Sequence, residues 1–299
     1  MSNKLIPLVS IIIPTYNHAE FIGKALKSII NQTYQNWEAI IIDNKSTDHT
    51  NEILSKFTDK RINSYKIDNN GIIAKSRNFG IKLAKGEWIA FLDSDDWWTS
   101  DKLEICLKNI DEQVDFIYHN LEIINNESKF YFKRKNYKGR QLKKPILNDL
   151  LIGGISKGNA IGNSSVIVRK KMLIKIGGIS ENKNLVASED YNTWLRIAEI
   201  TDKFKYLNRT LGFYLIHKAS AQKRNLSIPH REAVMDFMEL FNNKEKLNLE
   251  VKLRYMSGNF NASNNNYVNA KKDFLFALKK GDINFKFRSL LKIIVIMFK

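Results

Sequence analysis

The chain has 299 residues, of which 43% are hydrophobic and 11% aromatic, and this composition excludes the disordered and collagen-like classes of protein and leaves room for a complete enzyme. Its formal net charge of +17 predicts a partner or a surface that carries phosphates. The single cysteine, Cys106, excludes an internal disulfide and a cysteine-built zinc site, and it indicates a reducing compartment.

Targeting signals are not visible in the sequence. The segment Met1–Leu8 has one lysine, but it has neither an extended apolar run nor a small-residue cleavage pattern. No stretch of the sequence reaches the roughly 18 uninterrupted apolar residues that a membrane-spanning helix needs. We therefore expect a cytoplasmic protein.

The first third of the chain alternates β-branched runs with amphipathic segments, which is typical of β-α units that feed a parallel sheet. The predicted strands are Val9–Ile13, Trp37–Ile42, Ile62–Ile67 and Trp88–Leu92. We expect Asn17 to cap the helix after the first strand, with Glu20 three residues later. We also expect Gly86 to end the third helix in a left-handed conformation.

The pattern beyond Trp98 is looser. The predicted elements are a helix over Asp101–Ile110, strands at Val114–Tyr118, within Ala160–Arg169 and at Lys205–Ile216, a helix over Ser188–Ile200, and helices from Arg231 onward. We predict a catalytic domain over residues 1–225, with a nucleotide-binding half at about 1–98 and an acceptor half at about 99–225. Residues 226–299 are predicted to form a helical C-terminal region with a basic amphipathic tail.

Three polar loops follow three of the predicted strands. They are Pro14–Asn17, Asp43–Asp48 and Asp93–Asp96. Because parallel strands place their carboxyl ends along one edge of a sheet, these loops should converge on one ligand site. The sequence contains neither a G-x-G-x-x-G nor a G-x-x-x-x-G-K-[ST] motif, which argues against nicotinamide dehydrogenases and P-loop NTPases.

The segment Asp93–Asp96 is the strongest chemical signal, because three of its four residues are carboxylates. Like charges that close repel one another, and carboxylate oxygens suit hard cations such as Mg²⁺ or Mn²⁺. Magnesium takes substrate phosphates as further ligands, which points to a nucleotide diphosphate. The ordinary alternative is a solvated acidic turn that caps the next helix, and the position after the fourth strand favours the metal site.

Other candidate nucleotide ligands lie on the same predicted edge. Asp43 is placed to grip a base or a ribose, or else to form an Asx-turn with Lys45 or Ser46. The segment Pro14–Asn17 offers a hydroxyl and an aromatic ring to a base, with packing in the fold as the alternative role for Tyr16. Arg77 lies early on its helix and is a candidate for contact with a phosphate or the base, or else a surface arginine.

The second half of the chain supplies a candidate base. Glu189 and Asp190 stand at the head of a predicted helix, where the helix dipole alone favours carboxylates. Asp190 could in addition take the proton of an acceptor as a general base. His217 ends a predicted strand and is a candidate ligand of a metal or a diphosphate, although a structural role is the commoner one for a lone histidine.

Two segments are rich in basic residues. The segment Lys129–Lys144 holds eight basic and no acidic residues. A solvated basic face and a functional role explain this composition equally well. The segment Asn284–Lys299 interleaves basic and large apolar side chains. For it we predict a helix that lies in a membrane interface and is too short to cross it, against the alternative of a terminal helix docked on the domain.

Five motifs, in this order and spacing, together resemble the family 2 glycosyltransferases over roughly residues 8–220. They are Val-Ser-Ile-Ile-Ile-Pro-Thr-Tyr-Asn from Val9, Ile-Ile-Asp-Asn-Lys-Ser-Thr-Asp from Ile41, Ser-Arg-Asn-Phe-Gly-Ile from Ser76, Phe-Leu-Asp-Ser-Asp-Asp from Phe91 and Ser-Glu-Asp-Tyr from Ser188. The resemblance implies the GT-A fold, an α/β fold with a mixed, mainly parallel sheet flanked by helices. It also implies inversion at the anomeric carbon, a UDP-sugar donor, and Mg²⁺ or Mn²⁺ as cofactor.

The resemblance also implies roles for residues by their position. Asp190 matches the catalytic base and Asp95 the metal ligand, with His217 as a second candidate ligand. The residues implied around the nucleotide are Pro14, Thr15, Tyr16, Asp43, Arg77, Asp93 and Ser94, and those expected on the acceptor side are Asp96, Trp97 and Glu189. Members often have an arginine after the tyrosine of a late Tyr-Arg-x-His stretch, where this chain has Leu215.

The implied reaction moves a hexose or an N-acetylhexosamine to an acceptor hydroxyl. We expect the acceptor to be a lipid-linked glycan, on undecaprenyl diphosphate, in O-antigen or capsule synthesis, with the enzyme peripheral on the inner face of the membrane and no nucleic-acid partner. The competing hypotheses are a basic nucleic-acid-binding protein and a non-catalytic glycosyltransferase-like scaffold. The aspartate cluster argues against the first, and the retained Asp43, Asp95 and Asp190 argue against the second.

Overall fold

The computed structural model describes residues 6–125, 135–137, 139–156, 158–217 and 224–298. Within these residues nine strands form one sheet. The strands are β1 Val9–Thr15, β2 Trp37–Asp43, β3 Ile62–Lys66, β4 Trp88–Phe91, β5 Trp97–Trp98, β6 Phe116–Asn125, β7 Lys135–Tyr137, β8 Ile167–Arg169 and β9 Phe204–Ile216. Their order in the sheet is β3-β2-β1-β4-β8-β6-β9-β5, and β7 pairs with β6.

The first half of the sheet is parallel. Strand β1 pairs in parallel with β2 and β4, and β2 pairs in parallel with β3. All seven residues of β1 are buried, which explains its unbroken apolar run, since a central parallel strand is covered on both faces. Strand β8 is antiparallel to β4 and β6, while β6 and β9 run in parallel. The sheet is therefore mixed and mainly parallel on the side of the predicted nucleotide site.

Helices cover both faces of the sheet. The helices are α1 Ala19–Ile30, α2 Thr50–Leu54, α3 Ile73–Leu83, α4 Lys102–Lys108, α5 Ile146–Ser156, α6 Lys170–Lys175, α7 Glu189–Ile200, α8 Ser227–Val234, α9 Asn243–Ser263, α10 Tyr267–Lys280 and α11 Ile283–Met297. Successive residues of β1 point to opposite faces, so Ile12 enters one apolar core while Ile11 and Ile13 enter the other.

The C-terminal helices share the larger core and add a small one of their own. Leu249 and Leu253 of α9 belong to the same apolar cluster as Phe91 of β4. Val251 and Tyr255, each two positions from one of these leucines, instead join Phe274 and Ile293 in a separate cluster with α10 and α11. Helix α9 thus anchors the C-terminal helices to the body of the fold. Among the described residues, no helix has both the length and the apolarity needed to span a membrane.

Two predicted local features are wrong. His18, not Asn17, is the N-cap residue of α1, and Asn17 adopts a left-handed conformation with φ of 51°. Gly86 is not left-handed, because α3 ends at Leu83 and the glycine serves a close approach of backbones instead. A Cβ atom at position 86 would lie 2.6 Å from the carbonyl oxygen of Leu8.

The basic segment Lys129–Lys144 lies in large part outside the described residues, which omit 126–134 and 138. The described part contributes β7, which pairs with β6. The role of this segment stays a prediction.

Candidate active site

The three strand-end loops of the parallel half lie together. Oδ1 of Asn17 accepts a hydrogen bond of 2.8 Å from the backbone N–H of Thr47, which joins the loops after β1 and β2. Nδ1 of His18 lies 2.7 Å from Oγ of Ser94, which joins the first loop to the one after β4. The predicted convergence at the carboxyl edge of the sheet is therefore confirmed for these loops.

The predicted base pocket combines a buried carboxylate with an exposed ring. Asp43 is only 2% exposed, and it accepts a hydrogen bond of 3.1 Å from the backbone N–H of Ser46 and another from the hydroxyl of that serine. The predicted contact of Asp43 with Ser46 is thus present, although it spans three residues and not the two of an Asx-turn, and it leaves the carboxylate able to accept further hydrogen bonds. Thr15 lies beside Asp43 in the register of the sheet, and Tyr16 is 51% exposed.

One aspartate and two histidines form a compact cluster at this edge. Nε2 of His217 lies 3.0 Å from Oδ2 of Asp95, and the rings of His18 and His217 have centroids 5.8 Å apart. One ligand atom from each residue lies within 4.8 Å of the other two. Nitrogen and oxygen ligands bind divalent ions at roughly 2.0–2.3 Å, so atoms this close suit a single ion. The sequence predicts Asp95 and His217 as ligands but does not indicate His18.

Arg77 is buried between two carboxylates. Its guanidinium donates to Oδ1 of Asp93 at 2.8 Å and to Oε1 of Glu189 at 2.6 Å, and its side chain is 3% exposed. Burial alone would lower the pKa of Arg77, but the two carboxylates outweigh burial and raise it. The arginine therefore links the end of β4 to the head of α7, and its interior position favours a positioning role over direct contact with a nucleotide.

Asp190 heads helix α7 beside this ion-pair network. Its Oδ1 accepts from the backbone N–H of Tyr191 at 2.6 Å, and its Oδ2 accepts from Nδ2 of Asn159 at 3.2 Å. Burial raises the pKa of Asp190 to about 7, and the charge of neighbouring Glu189 acts in the same direction. A carboxylate that titrates near neutrality is well matched to general-base catalysis.

Of the three residues predicted on the acceptor side, two lie in the interior. Asp96 is 1% exposed, and its Oδ1 accepts a hydrogen bond of 3.0 Å from the backbone N–H of Leu215. Burial raises the pKa of Asp96 well above its usual range. Glu189 is 6% exposed, whereas Trp97 is partly exposed and stacks on Phe213 with ring centroids 5.1 Å apart. These positions favour structural roles for Asp96 and Glu189.

Comparison with known proteins identifies the family. The sequence model of Glycosyl transferase family 2 matches residues 10–172. The chain belongs to this family. Among its relatives is WfgD of Escherichia coli, which is 36% identical over 197 residues that cover 64% of this chain and 69% of WfgD. WfaP, also from Escherichia coli, is 32% identical over 220 residues, covering 71% of this chain and 79% of WfaP. Both are named UDP-Glc:alpha-D-GlcNAc-diphosphoundecaprenol beta-1,3-glucosyltransferases.

Solved structures of other glycosyltransferases share the fold. TarS of S. aureus in complex with UDP-GlcNAc superposes with a TM-score of 0.64 at 19% identity, over 96% of this chain and 88% of that structure. The mannosyltransferase PcManGT of Pyrobaculum calidifontis, in complex with GDP-Man and Mn²⁺, gives 0.63 at 16% identity, over 98% and 81%. The predictions of the GT-A fold and of a family 2 glycosyltransferase are confirmed, while the roles of individual residues stay predictions.

Proposed function

We propose that this family 2 glycosyltransferase moves a hexose or an N-acetylhexosamine from a UDP-sugar to a hydroxyl of a lipid-linked glycan, with inversion at the anomeric carbon. The observation that carries the proposal is the ion-pair bridge of Arg77, which holds the end of β4 with Asp93 against the head of α7 with Asp190. In this proposal the donor binds near the Asp93 end of the bridge, and Asp190, next to Glu189, is the base. The names of WfgD and WfaP, which state UDP-glucose and a diphosphoundecaprenol-linked acceptor, support the substrate classes.

The donor would bind at the carboxyl edge of β1, β2 and β4. Pro14, Thr15 and Tyr16 would line the pocket of the uracil base, and Asp43 would accept a hydrogen bond from the base. Asp93 would lie near the ribose. Asp95 and His217 would hold a divalent cation, Mg²⁺ or Mn²⁺, which neutralises the charge that develops on the departing diphosphate.

The chemistry is a single displacement. Asp190 accepts the proton of the acceptor hydroxyl while its oxygen attacks the anomeric carbon from the face opposite the diphosphate. The new carbon–oxygen bond forms as the bond to the diphosphate oxygen breaks, and the nucleoside diphosphate leaves. One such step inverts the configuration. Because the pKa of Asp190 is raised to about 7, a substantial fraction of the carboxylate is ionised near neutral pH, and this ionised form is basic enough to accept a proton.

Titration calorimetry with UDP tests the donor site. We expect UDP to bind in the presence of MnCl₂ and to bind much more weakly without it, because a divalent cation in the site would take the diphosphate oxygens as ligands and offset their negative charge. Asp95→Ala should remove the metal-dependent part of the affinity. Titration with GDP provides the comparison that distinguishes a uracil-specific pocket from one that accepts either base.

The matched control is Asp111→Ala, since Asp111 is an exposed aspartate outside the cluster. This variant should bind UDP as the wild type does. The assigned metal role would be contradicted if the wild type, like Asp95→Ala, bound UDP equally well with and without metal. If the wild type binds GDP more tightly than UDP, GDP takes the place of UDP in the proposal.

A second part of the proposal concerns helix α11 and the membrane. One face of α11 is docked on the fold through the buried residues Ser289 and Ile293. For this face the alternative prediction, a terminal helix docked on the domain, holds. The opposite face exposes a stripe of large apolar residues at helical spacing, which are Phe287, Leu290, Leu291, Ile294, Val295 and Phe298. Exposed Lys286, Arg288 and Lys292 flank the stripe. Such a face suits an anionic lipid surface, where the enzyme would meet a lipid-linked acceptor at the inner leaflet.

Vesicle co-sedimentation tests this contact. The triple variant Phe287→Ser, Leu291→Ser and Val295→Ser removes the centre of the exposed stripe without touching the docked face. We expect it to lose most of the binding that the wild type shows to vesicles containing anionic lipid, because apolar burial and charge attraction act together in such helices. Substitution is preferable to deletion of the tail, since Ile293 packs in the C-terminal core.

The control replaces three exposed apolar residues elsewhere, with Ile174→Ser, Ile228→Ser and Leu240→Ser. This variant should sediment with vesicles as the wild type does. Equal losses in both triple variants, or undiminished binding in the α11 variant, would contradict the assigned surface.

A further inference from the structure

We infer that His18 is a third protein ligand of the metal and that the resulting site selects a first-row transition metal over Mg²⁺. The inference deepens the proposed function and rests on it, because Asp95 and His217 are the other two ligands. It adds a residue outside the aspartate cluster, on the loop between β1 and α1. It also adds a chemical preference that the aspartates alone do not predict.

The backbone of the loop places His18 at the cluster. Asn17 takes a left-handed conformation with φ of 51°, and its side chain is anchored to the backbone of Thr47. The backbone N–H of His18 then donates a hydrogen bond of 3.1 Å to Oγ1 of Thr50. These contacts fix the backbone at His18 against the loop after β2 and the first residue of α2.

The side chain of His18 is also oriented. Its Nδ1 lies 2.7 Å from Oγ of Ser94, which directly precedes Asp95. A histidine that binds a metal through one ring nitrogen usually has its other nitrogen held by such a partner, which sets the tautomer. With Nδ1 engaged by Ser94, Nε2 is the ring nitrogen that remains for a metal.

Aromatic packing alone does not account for the arrangement. The ring of Phe21 lies against both imidazoles, with centroids 5.6 Å from His18 and 4.6 Å from His217. Such packing explains why the two rings lie close together. Packing of aromatic rings does not explain why a carboxylate also lies there. Oδ2 of Asp95 is 3.0 Å from Nε2 of His217.

Two imidazoles and one carboxylate form a donor set with a clear preference. Magnesium binds oxygen ligands and sheds its waters reluctantly, so it gains little from nitrogen donors. First-row transition metals accept imidazole, and their affinity for a given site rises from Mn²⁺ to Co²⁺. We therefore expect the affinity of this site to follow Co²⁺, then Mn²⁺, then Mg²⁺.

The test is calorimetric titration of the full chain with CoCl₂, MnCl₂ and MgCl₂ in the absence of nucleotide. We expect His18→Ala to weaken binding of Mn²⁺ and Co²⁺ by about 10-fold or more. Pulsed electron paramagnetic resonance of bound Mn²⁺ should detect couplings from two imidazole nitrogens in the wild type and from one in His18→Ala. His49→Ala is the matched control, because His49 is exposed, is paired with Glu52 and does not belong to the cluster.

Each outcome decides one claim. The inference would be overturned if His18→Ala bound Mn²⁺ and Co²⁺ with the affinity of the wild type and still showed couplings from two nitrogens. It would also be overturned if the wild type bound Mg²⁺ as tightly as Mn²⁺, or bound none of the three ions. Metal-dependent UDP binding that survives such a result would leave the proposed function standing. Conversely, His18-dependent Mn²⁺ binding without any affinity for UDP would support the inference and contradict the UDP-sugar proposal.

Discussion

Asp190→Asn should lower kcat by about 10²–10⁴-fold, the range that general-base help typically contributes, while leaving the affinity for UDP unchanged. The amide cannot accept the proton of the acceptor hydroxyl, but it nearly matches the carboxylate in shape. Its oxygen can still accept one hydrogen bond where Oδ1 now accepts from Tyr191. Sugar transfer is measured as release of UDP in the presence of an acceptor, and UDP affinity is measured by calorimetry.

The pH profile provides a second readout for Asp190. Because burial raises the pKa of this carboxyl to about 7, it is protonated and inactive as a base below neutrality. The wild-type rate should therefore rise with pH and level off above about 7, and the residual rate of Asp190→Asn should lack that rise. Asp111→Asn, on the exposed surface, should keep both rate and profile. Normal turnover in Asp190→Asn would remove this residue from the mechanism.

Arg77→Met should destabilise the fold by about 3–5 kcal/mol, the cost of removing one partner from a buried ion pair. Asp93 and Glu189 would both lose their cation, and Glu189 is 6% exposed. The loss should shrink in acidic solution, because burial raises the pKa of Asp93, and the protonated carboxyl no longer needs a counter-charge. Urea unfolding at neutral and acidic pH measures both effects.

Arg61→Met is the matched control. Arg61 pairs with Asp59 at 2.7 Å but is 30% exposed, and its guanidinium also lies 3.7 Å from the centroid of the Trp37 ring. Exposed ion pairs contribute about 0–1 kcal/mol, so this variant should lose far less stability. If Arg77→Met unfolds at the same urea concentration as Arg61→Met, the arginine is not the bridge that holds the two halves of the site together.

Much of the site could be predicted because strand ends are local features. An apolar run such as Val9–Ile13 identifies a central parallel strand, and every parallel strand delivers its last residues to the same edge of the sheet. The positions of Asp43 and Asp93 therefore followed from the pattern of the chain. The position of Asp190 could be predicted in the same way, since a pair of carboxylates at the start of an amphipathic helix is a local signal.

Contacts between distant segments could not be predicted in this way. Arg77 and Glu189 are separated by 112 positions, and nothing near either residue indicates the other. His18 gave no signal beyond its place directly after the first motif. The direction of each side chain in the aspartate cluster also depends on its neighbours in space, as Asp96 shows by turning inward to the backbone of Leu215.

The sequence by itself determined the family, the order of β-α units and the acidic ends of the strands, because hydrophobic periodicity and short motifs are properties of neighbouring residues. The tertiary structure decided which of those polar residues face one another. It buried Asp96 and Glu189, made Arg77 a bridge, and brought His18 to Asp95 and His217. The reason is that the ionisation of a carboxylate and its capacity to bind a metal depend on desolvation and on charges within a few ångströms, which only the folded chain sets.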